Sequence, residues 1–343
     1  MATDKILINV TPGETRIALL EKDRLSELLI SRLGQASSVG NIYLGRVSAV
    51  LNGLQAAFID YGVEKAGFLS LADLRSTGPK NGEKNNRERI ADYLSEGDEI
   101  LVQVSRDPEE NKGAKLTARV TLTGRDLVFA PGQSGITLSR RITDMEERKR
   151  LLDLVGNQVP ANLGGAFIVR VAAQEAEAED LESEIKRMIL WSEKLEAARK
   201  KAKNPSCLHQ ELEPAFLALR EHGGVDLEAV KVDDKNLYER LREFASESMH
   251  DLTELIDHHS EAKPIFDSYG VEELIDGVLE PLVPLPSGGN IIISETPALT
   301  AIDVNTGSGQ GAGREQLAMT TNQEAAEEIS RQVLLRNLSG LLV

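Results

Sequence analysis

The first thirty residues fall into three short runs of alternating or continuous apolar positions. Residues 5–9 and 15–20 flank Thr11-Pro12-Gly13, and residues 24–30 follow a charged turn at 21–23, a pattern that predicts a β-meander. From Asn41 the texture changes to short β-rich segments broken by glycine, at 42–51, 55–61, 66–69, 100–105 and 115–121. Short strands in such close succession predict a small closed barrel. Residues 76–89 (STGPKNGEKNNRER) are polar and rich in Gly, Pro and Asn, the composition of a mobile loop.

After residue 124 a separate α/β module is expected. Residues 167–172 read as a strand. Residues 175–203 read as a long helix, with Leu181, Ile185, Met188 and Leu195 near helical spacing and Asn204-Pro205 as its stop. Its basic end, 199–203, suits the negative pole of a helix and reads as a solvated terminus rather than an RNA patch. Further helices are predicted at 236–242 and 271–278. Residues 290–294 and 299–304 flank Glu295-Thr296-Pro297 and read as an antiparallel hairpin. Glycines at 307, 309, 311 and 313 precede a helix over 316–336, with Ala325, Ile329 and Val333 on one stripe. The last four residues, Gly340-Leu341-Leu342-Val343, read as part of a buried strand, so the tail is expected to continue beyond them.

Composition narrows the class. A chain of 343 residues exceeds what one hydrophobic core usually serves, so two or more domains are expected. Aromatics make up only 4% of residues, leaving the cores to Leu, Ile, Val and Ala. No apolar run reaches membrane-spanning length, and the start MATDKILINV lacks the marks of a signal peptide; a cytoplasmic protein without a membrane partner is expected. A single cysteine, Cys207, excludes a disulfide framework and a zinc site built from several cysteines of this chain. The formal charge is −16, but residues 1–150 sum to +1, leaving −17 for 151–343. That balance argues against coating nucleic acid by bulk charge and leaves room for a local binding face on the N-terminal part.

Several residues invite chemistry. On a strand, residues two apart share a face, so Asp303 and Asn305 project together, and Thr300, Ile302 and Val304 face a core. Asp303 either caps the backbone of the following loop, the plainer reading of its position, or binds a hard divalent cation such as Mg²⁺. The glycines at 307–313 match neither a P-loop nor a dinucleotide fingerprint and read as a flexible connector. Five scattered histidines include no HExxH, and no GxSxG elbow is present. In the barrel segment Phe58 and Phe68 are core residues or base-stacking platforms, the composition alone favouring core.

The motifs in order resemble the catalytic half of the bacterial ribonuclease E/G family. They are Gly40-Asn-Ile-Tyr-Leu-Gly-Arg46, Gln55-Ala-Ala-Phe-Ile-Asp-Tyr-Gly62 with Gly67-Phe-Leu69, and Asn111-Lys-Gly113. Further on come Ser139-Arg-Arg-Ile142, Leu285-Pro-Ser-Gly-Gly289, Leu299-Thr-Ala-Ile-Asp-Val-Asn305 and Thr321-Asn-x-Glu-Ala-Ala326. The resemblance implies an α+β multidomain chain: an RNase H-like subdomain from 1–36 and 208–279, interrupted by an OB-fold barrel of the ribosomal S-one type at 37–123 and a 5′-sensor region at 124–207. A partial DNase I-like subdomain would follow from 280. It also implies Mg²⁺-dependent endonucleolytic cleavage of single-stranded, often A/U-rich RNA, leaving a 5′-phosphate, in RNA processing and decay. The alternative is an RNA-binding protein of the same descent that does not cut.

Carried over by residue, the resemblance makes Asp303 the first metal-ligand aspartate and Asn305 its support. Phe58, Phe68, Lys112 and Arg141 fall on RNA-contacting positions, and Gly124, Val128, Arg170 and Val171 on the 5′-phosphate pocket. Three departures stand out: Pro297 replaces a common glutamate, Val171 replaces the usual threonine, and the second metal aspartate is expected past Val343. The cysteine pair of the family's inter-subunit zinc link is likewise expected downstream, so this chain supports no zinc, and a homodimer stays open as a partner.

Overall fold

The computed structural model describes residues 3–35, 37–74, 89–109, 112–160, 163–307 and 314–343. The chain forms two compact units, one from residues 36–213 and the other from 1–35 together with 214–343. The loop read at 76–89 lies outside the described residues except for Arg89, and the glycine connector lies outside them from 308 to 313.

The chain opens with the expected meander: β1 (Lys5–Thr11), β2 (Glu14–Glu21) and β3 (Arg24–Arg32), paired antiparallel in succession. Alternate residues point inward, so Leu7, Ala18, Leu20 and Leu25 are buried on one face.

The next strands are β4 (Ile42–Leu51), β5 (Ala56–Asp60), β6 (Gly67–Ser70), β7 (Glu99–Arg106) and β8 (Lys115–Thr117), with the one-turn helix α1 (Leu71–Leu74) after β6. Strand β4 pairs with both β5 and β7, while β8 joins β6 to β7. The ring of five strands therefore closes, giving the small barrel that the strand spacing predicts and the OB-like form that the resemblance implies. Its interior is filled by Val47, Ile59, Leu69, Val102, Val104 and Leu116. The predicted last strand, 115–121, stops at Thr117. There Ala118 N turns to donate to Asp73 O at 3.1 Å, and Thr117 Oγ1 accepts from Arg119 N at 3.1 Å.

Residues from 122 form a second layer in the same unit. Strands β9 (Leu122–Thr123), β10 (Leu127–Pro131), β11 (Gly135–Leu138) and β12 (Gly165–Val169) make a four-stranded sheet in the order β11-β12-β10-β9. Helices α2 (Met145–Gln158) and α3 (Ala178–Lys201) cover it, and strand β13 (Ser206–His209) returns to pair with β4. Leu181, Ile185, Met188 and Leu195 of α3 are buried against Phe129 and Phe167 of the sheet, as their spacing predicts. The predicted strand at 167–172 and helix from 175 are corrected here: β12 ends at Val169, a 3-10 turn occupies Val171–Glu175, and α3 starts at Ala178.

The other unit resumes with α4 (Pro214–His222), β14 (Ala229–Val232), α5 (Lys235–Ser248), β15 (Ile256–His258), α6 (Ile265–Ser268) and α7 (Val271–Leu279). Strands β14 and β15 extend the meander in parallel, giving a five-stranded sheet β15-β14-β1-β2-β3. Strands β16 (Leu282–Pro284), β17 (Asn290–Glu295) and β18 (Thr300–Asn305) form a small antiparallel sheet packed under α8 (Arg314–Leu335). The tail is a further correction. Residues 341–343 hydrogen-bond along the free edge of β18, through Thr300 N to Leu341 O at 2.9 Å and Ile302 N to Val343 O at 2.7 Å, yet their side chains are exposed rather than buried. Among the described residues no helix is long and apolar enough to cross a membrane.

Candidate nuclease site and RNA-binding surfaces

Strand β18 alternates as its sequence requires. Thr300 is buried, Ile302 and Val304 pack onto the core of Ile291, Ile293 and Ala325, and Asp303 is exposed on the other face. Asn305 Nδ2 donates to Asp303 Oδ2 at 3.1 Å and also reaches Asn290 Oδ1, at 3.3 Å, across the hairpin. Among the described residues Asp303 caps no backbone amide, so the capping reading finds no support there.

Three motif stretches far apart in sequence converge behind this pair. The loop at 285–289 is held to α8, where Glu324 Oε2 accepts from Ser287 N at 2.9 Å and the Ser287 and Thr321 hydroxyls lie 3.1 Å apart. Gly289 lies so close to the end of β18 that an added Cβ would stand 2.5 Å from Asn305 O and 2.9 Å from Thr321 Cγ2. Only a residue without a side chain permits that approach. Residues 285–289, 299–305 and 321–326 thus form one rigid surround for the Asp303–Asn305 pair. A groove of about 600 Å³ opens beside it, lined by Leu285, Pro286 and Glu324 together with Arg24, Glu328 and Arg331.

The donor set suits a hard cation in kind: a solvent-facing carboxylate beside a side-chain amide, with room for water. Among the described residues no group of three or more His, Cys, Asp or Glu side chains that could hold a metal gathers; Asp303 is the carboxylate that strand β18 carries, and the nearby Glu324 is engaged by Ser287 N.

In the barrel, Phe58 on β5 and Phe68 on β6 are directly opposite, with ring centroids 6.2 Å apart and planes at 70°. Their neighbours Ala57, Ile59 and Leu69 are fully buried, whereas both rings are half-buried. Strand alternation turns these two aromatics to the outside, so the core reading is set aside. Segment 112–115 runs beside β6, with Ala114 O accepting from Phe68 N at 2.8 Å, and Lys112 is 80% exposed, 3.7 Å from Glu109.

The second layer gathers most of the residues that the resemblance assigns to a 5′-phosphate pocket. Gly124 N donates to Leu127 O at 2.9 Å, closing a turn over 124–127. Arg170 bonds to that turn twice: its backbone N donates to Asp126 O at 2.8 Å and its Nη1 to Gly124 O at 2.6 Å. Val171 follows, 39% exposed and without a hydroxyl to offer. Ser139 N donates to Val169 O at 2.9 Å, which places the turn carrying exposed Arg141 at the same end of the sheet. Val128 is set further in, opposite Ile168 on β12.

Sequence reasoning passed over Glu184. It is a carboxylate inside the apolar stripe of α3, 4% exposed, and accepts from Asp126 N at 3.1 Å. Burial, and then the Asp126 carboxylate, push its pKa up to about 7. A glutamate between Leu181 and Met188, on the buried face, was the available signal.

A family model described as the ribonuclease E/G family matches residues 121–343. Ribonuclease G of Salmonella typhimurium (strain SL1344) is 39% identical over 350 residues, covering 99% of this chain and 70% of that protein. Ribonuclease G of Haemophilus influenzae is 41% identical over 349 residues, with the same coverage of 99% and 70%. Ribonuclease E of Escherichia coli (strain K12) is 35% identical over 344 residues, which is 99% of this chain and 32% of that protein.

Proposed function

The chain belongs to the ribonuclease E/G family, and from that premise we propose that it is an endoribonuclease that cuts single-stranded RNA at Asp303. The observation that carries this reading is the convergence of residues 285–289, 299–305 and 321–326 around an exposed carboxylate that caps no described amide. A structural aspartate would be tied to backbone, and among the described residues this one bonds to the Asn305 amide.

We read the sheet β15-β14-β1-β2-β3, with β1, β14 and β15 parallel, as RNase H-like, and the hairpin β17–β18 under α8 as the start of a DNase I-like subdomain. In the reaction, Phe58 and Phe68 stack unpaired bases, which a duplex would not expose, and Lys112 and Arg141 contact phosphates. Asp303 with Asn305 would hold Mg²⁺, which when bound polarises a phosphodiester and activates water. Asn305 fixes the carboxylate's orientation through its 3.1 Å hydrogen bond, and Gly289 fixes the strand beneath it. Arg170 offers a charged fork to a 5′-terminal phosphate, with Val171 contributing no hydrogen bond. The cytoplasm is the compartment proposed.

The test uses the 343-residue chain and an A/U-rich RNA labelled at its 3′ end, offered single-stranded or annealed to its complement. Cleavage of the single strand with Mg²⁺, abolished by EDTA and by annealing, and giving products that carry 5′-phosphate, is expected. Equal cutting of both forms, or binding of the single strand without cutting at any Mg²⁺ concentration, sinks the reading. The second outcome identifies a non-cleaving RNA-binding protein.

A further inference from the structure

The 5′ pocket contains a charged group that no direct phosphate contact requires. We propose that Glu184 is a positioning residue for 5′-end recognition: its carboxylate clamps the turn at 124–127 and thereby fixes Arg170 for a terminal phosphate. This rests on the reading of Arg170 as the phosphate contact.

Helix α3 carries Glu184 on its buried face, between Leu181 and Met188. Its two carboxylate oxygens lie 3.3 and 3.1 Å from Asp126 N, so both face the same backbone amide of the turn. The same turn supplies two anchors of Arg170, Asp126 O for the backbone and Gly124 O for the guanidinium. One carboxylate therefore sets a turn that sets an arginine at both ends. The contact is tight: a Cβ on Gly124 would lie 1.7 Å from Glu184 Oε1 and 2.6 Å from Met188 Cε. An apolar side chain would fill this site at lower desolvation cost, because a buried carboxylate is expensive unless its bonds repay it. Here the bonds go to the one turn that carries Arg170, which gives the carboxylate a use that packing alone does not.

The charged groups that act on Glu184 are Asp126 on the turn and Arg187 on the next turn of α3; Arg125 lies on the same turn as Asp126, and Arg170, after β12, bonds to Gly124 O of it. Asp126 disfavours and Arg187 favours its ionised form. Ionised, it offers two full acceptors to the Asp126 amide; protonated, it offers fewer, and the turn loosens.

The experiment measures binding, without metal, of one RNA oligonucleotide carrying either a 5′-monophosphate or a 5′-hydroxyl. Wild type, Glu184→Ala, Glu184→Gln and Gly124→Ala are compared, with thermal melts as a control for folding. Wild type is expected to prefer the monophosphate. Glu184→Ala and Gly124→Ala are each expected to lower that preference about tenfold, the loss of hydrogen bonds to a charged group. Glu184→Gln, with one acceptor oxygen kept, is expected to recover about a third of it on the same scale. The wild-type preference should fall more steeply than that of Glu184→Gln between about pH 8 and pH 6, since the phosphate's own titration is common to both. Retention of the wild-type preference in Glu184→Ala overturns the proposal, as does an equal loss of hydroxyl-ended binding. If wild type itself shows no preference, the 5′-phosphate reading of Arg170 fails with it. Failure of the nuclease reading would appear only in cleavage, which this assay does not measure.

Discussion

Truncating Phe68 to alanine separates two roles for the barrel aromatics. A fully buried phenylalanine replaced by alanine loses about 3–5 kcal/mol of stability. Phe68 is half-buried and pairs edge-to-face with Phe58 at 6.2 Å, so roughly half of that loss is expected, about 2 kcal/mol including the ring pair. Base stacking on an exposed ring contributes about 1–3 kcal/mol per base, which is roughly 5- to 150-fold in Kd. Urea denaturation of Phe68→Ala measures the first quantity. Fluorescence anisotropy with an A/U-rich single strand, at one fixed salt concentration, measures the second. A moderate loss of stability with at least a fivefold weaker Kd is expected. An unchanged Kd together with a loss near 4 kcal/mol would return Phe68 to the core and refute the stacking surface.

Other consequences follow from specific contacts. Glu328 is 4% exposed and accepts from Arg24 at 2.6 Å, from Gln332 at 2.8 Å and from Arg331, so Glu328→Ala leaves the largely buried Arg331 charge without this carboxylate while its bond to Leu25 O remains. A loss of about 3 kcal/mol by urea denaturation is expected, and a loss below about 1 kcal/mol would contradict the network. Gly289→Ala drives a methyl group to 2.5 Å from Asn305 O; a lower kcat with RNA affinity unchanged is expected, and wild-type kcat would show that the end of β18 tolerates the shift. Glu184 has a folded pKa of about 7 against an ordinary 4.5, so protonation favours the folded state. Its stabilisation is complete below the unfolded value and is lost as pH rises through about 7, a difference of about 2 kcal/mol between about pH 5.5 and pH 8.5. Denaturation curves should show that decline in wild type and not in Glu184→Gln; parallel curves for the two proteins would rule it out.

Much of this fold is legible in the sequence because its signals are local. The meander, the barrel strands and the β17–β18 hairpin each carry period-two alternation bounded by turn residues, and the alternation alone put Asp303 and Asn305 on one face. The stripe of α3 was legible for the same reason. Where the pattern ended, the boundaries slipped: residues 118–121 and 170–172 are apolar enough to read as strand, but Asp73 O and Asp126 O capture Ala118 N and Arg170 N and turn the chain away. The tail at 340–343 misled because apolar character signals burial only when something covers the residues. Glu184 was passed over because its importance lies in a turn nearly sixty residues earlier, a relation that spacing along one helix does not reveal. The contact of Ser287 with Glu324 is likewise long-range and became visible only once α8 was placed.

The most direct test is Asp303→Asn, read in two assays on the same protein. The amide keeps the shape of the side chain and the neighbouring Asn305 while removing the negative charge that would attract Mg²⁺. Single-strand affinity measured in EDTA is expected to match wild type, and cleavage with Mg²⁺ is expected to fall by at least about a hundredfold. A variant that cuts at the wild-type rate would show that this carboxylate is not where the chemistry happens.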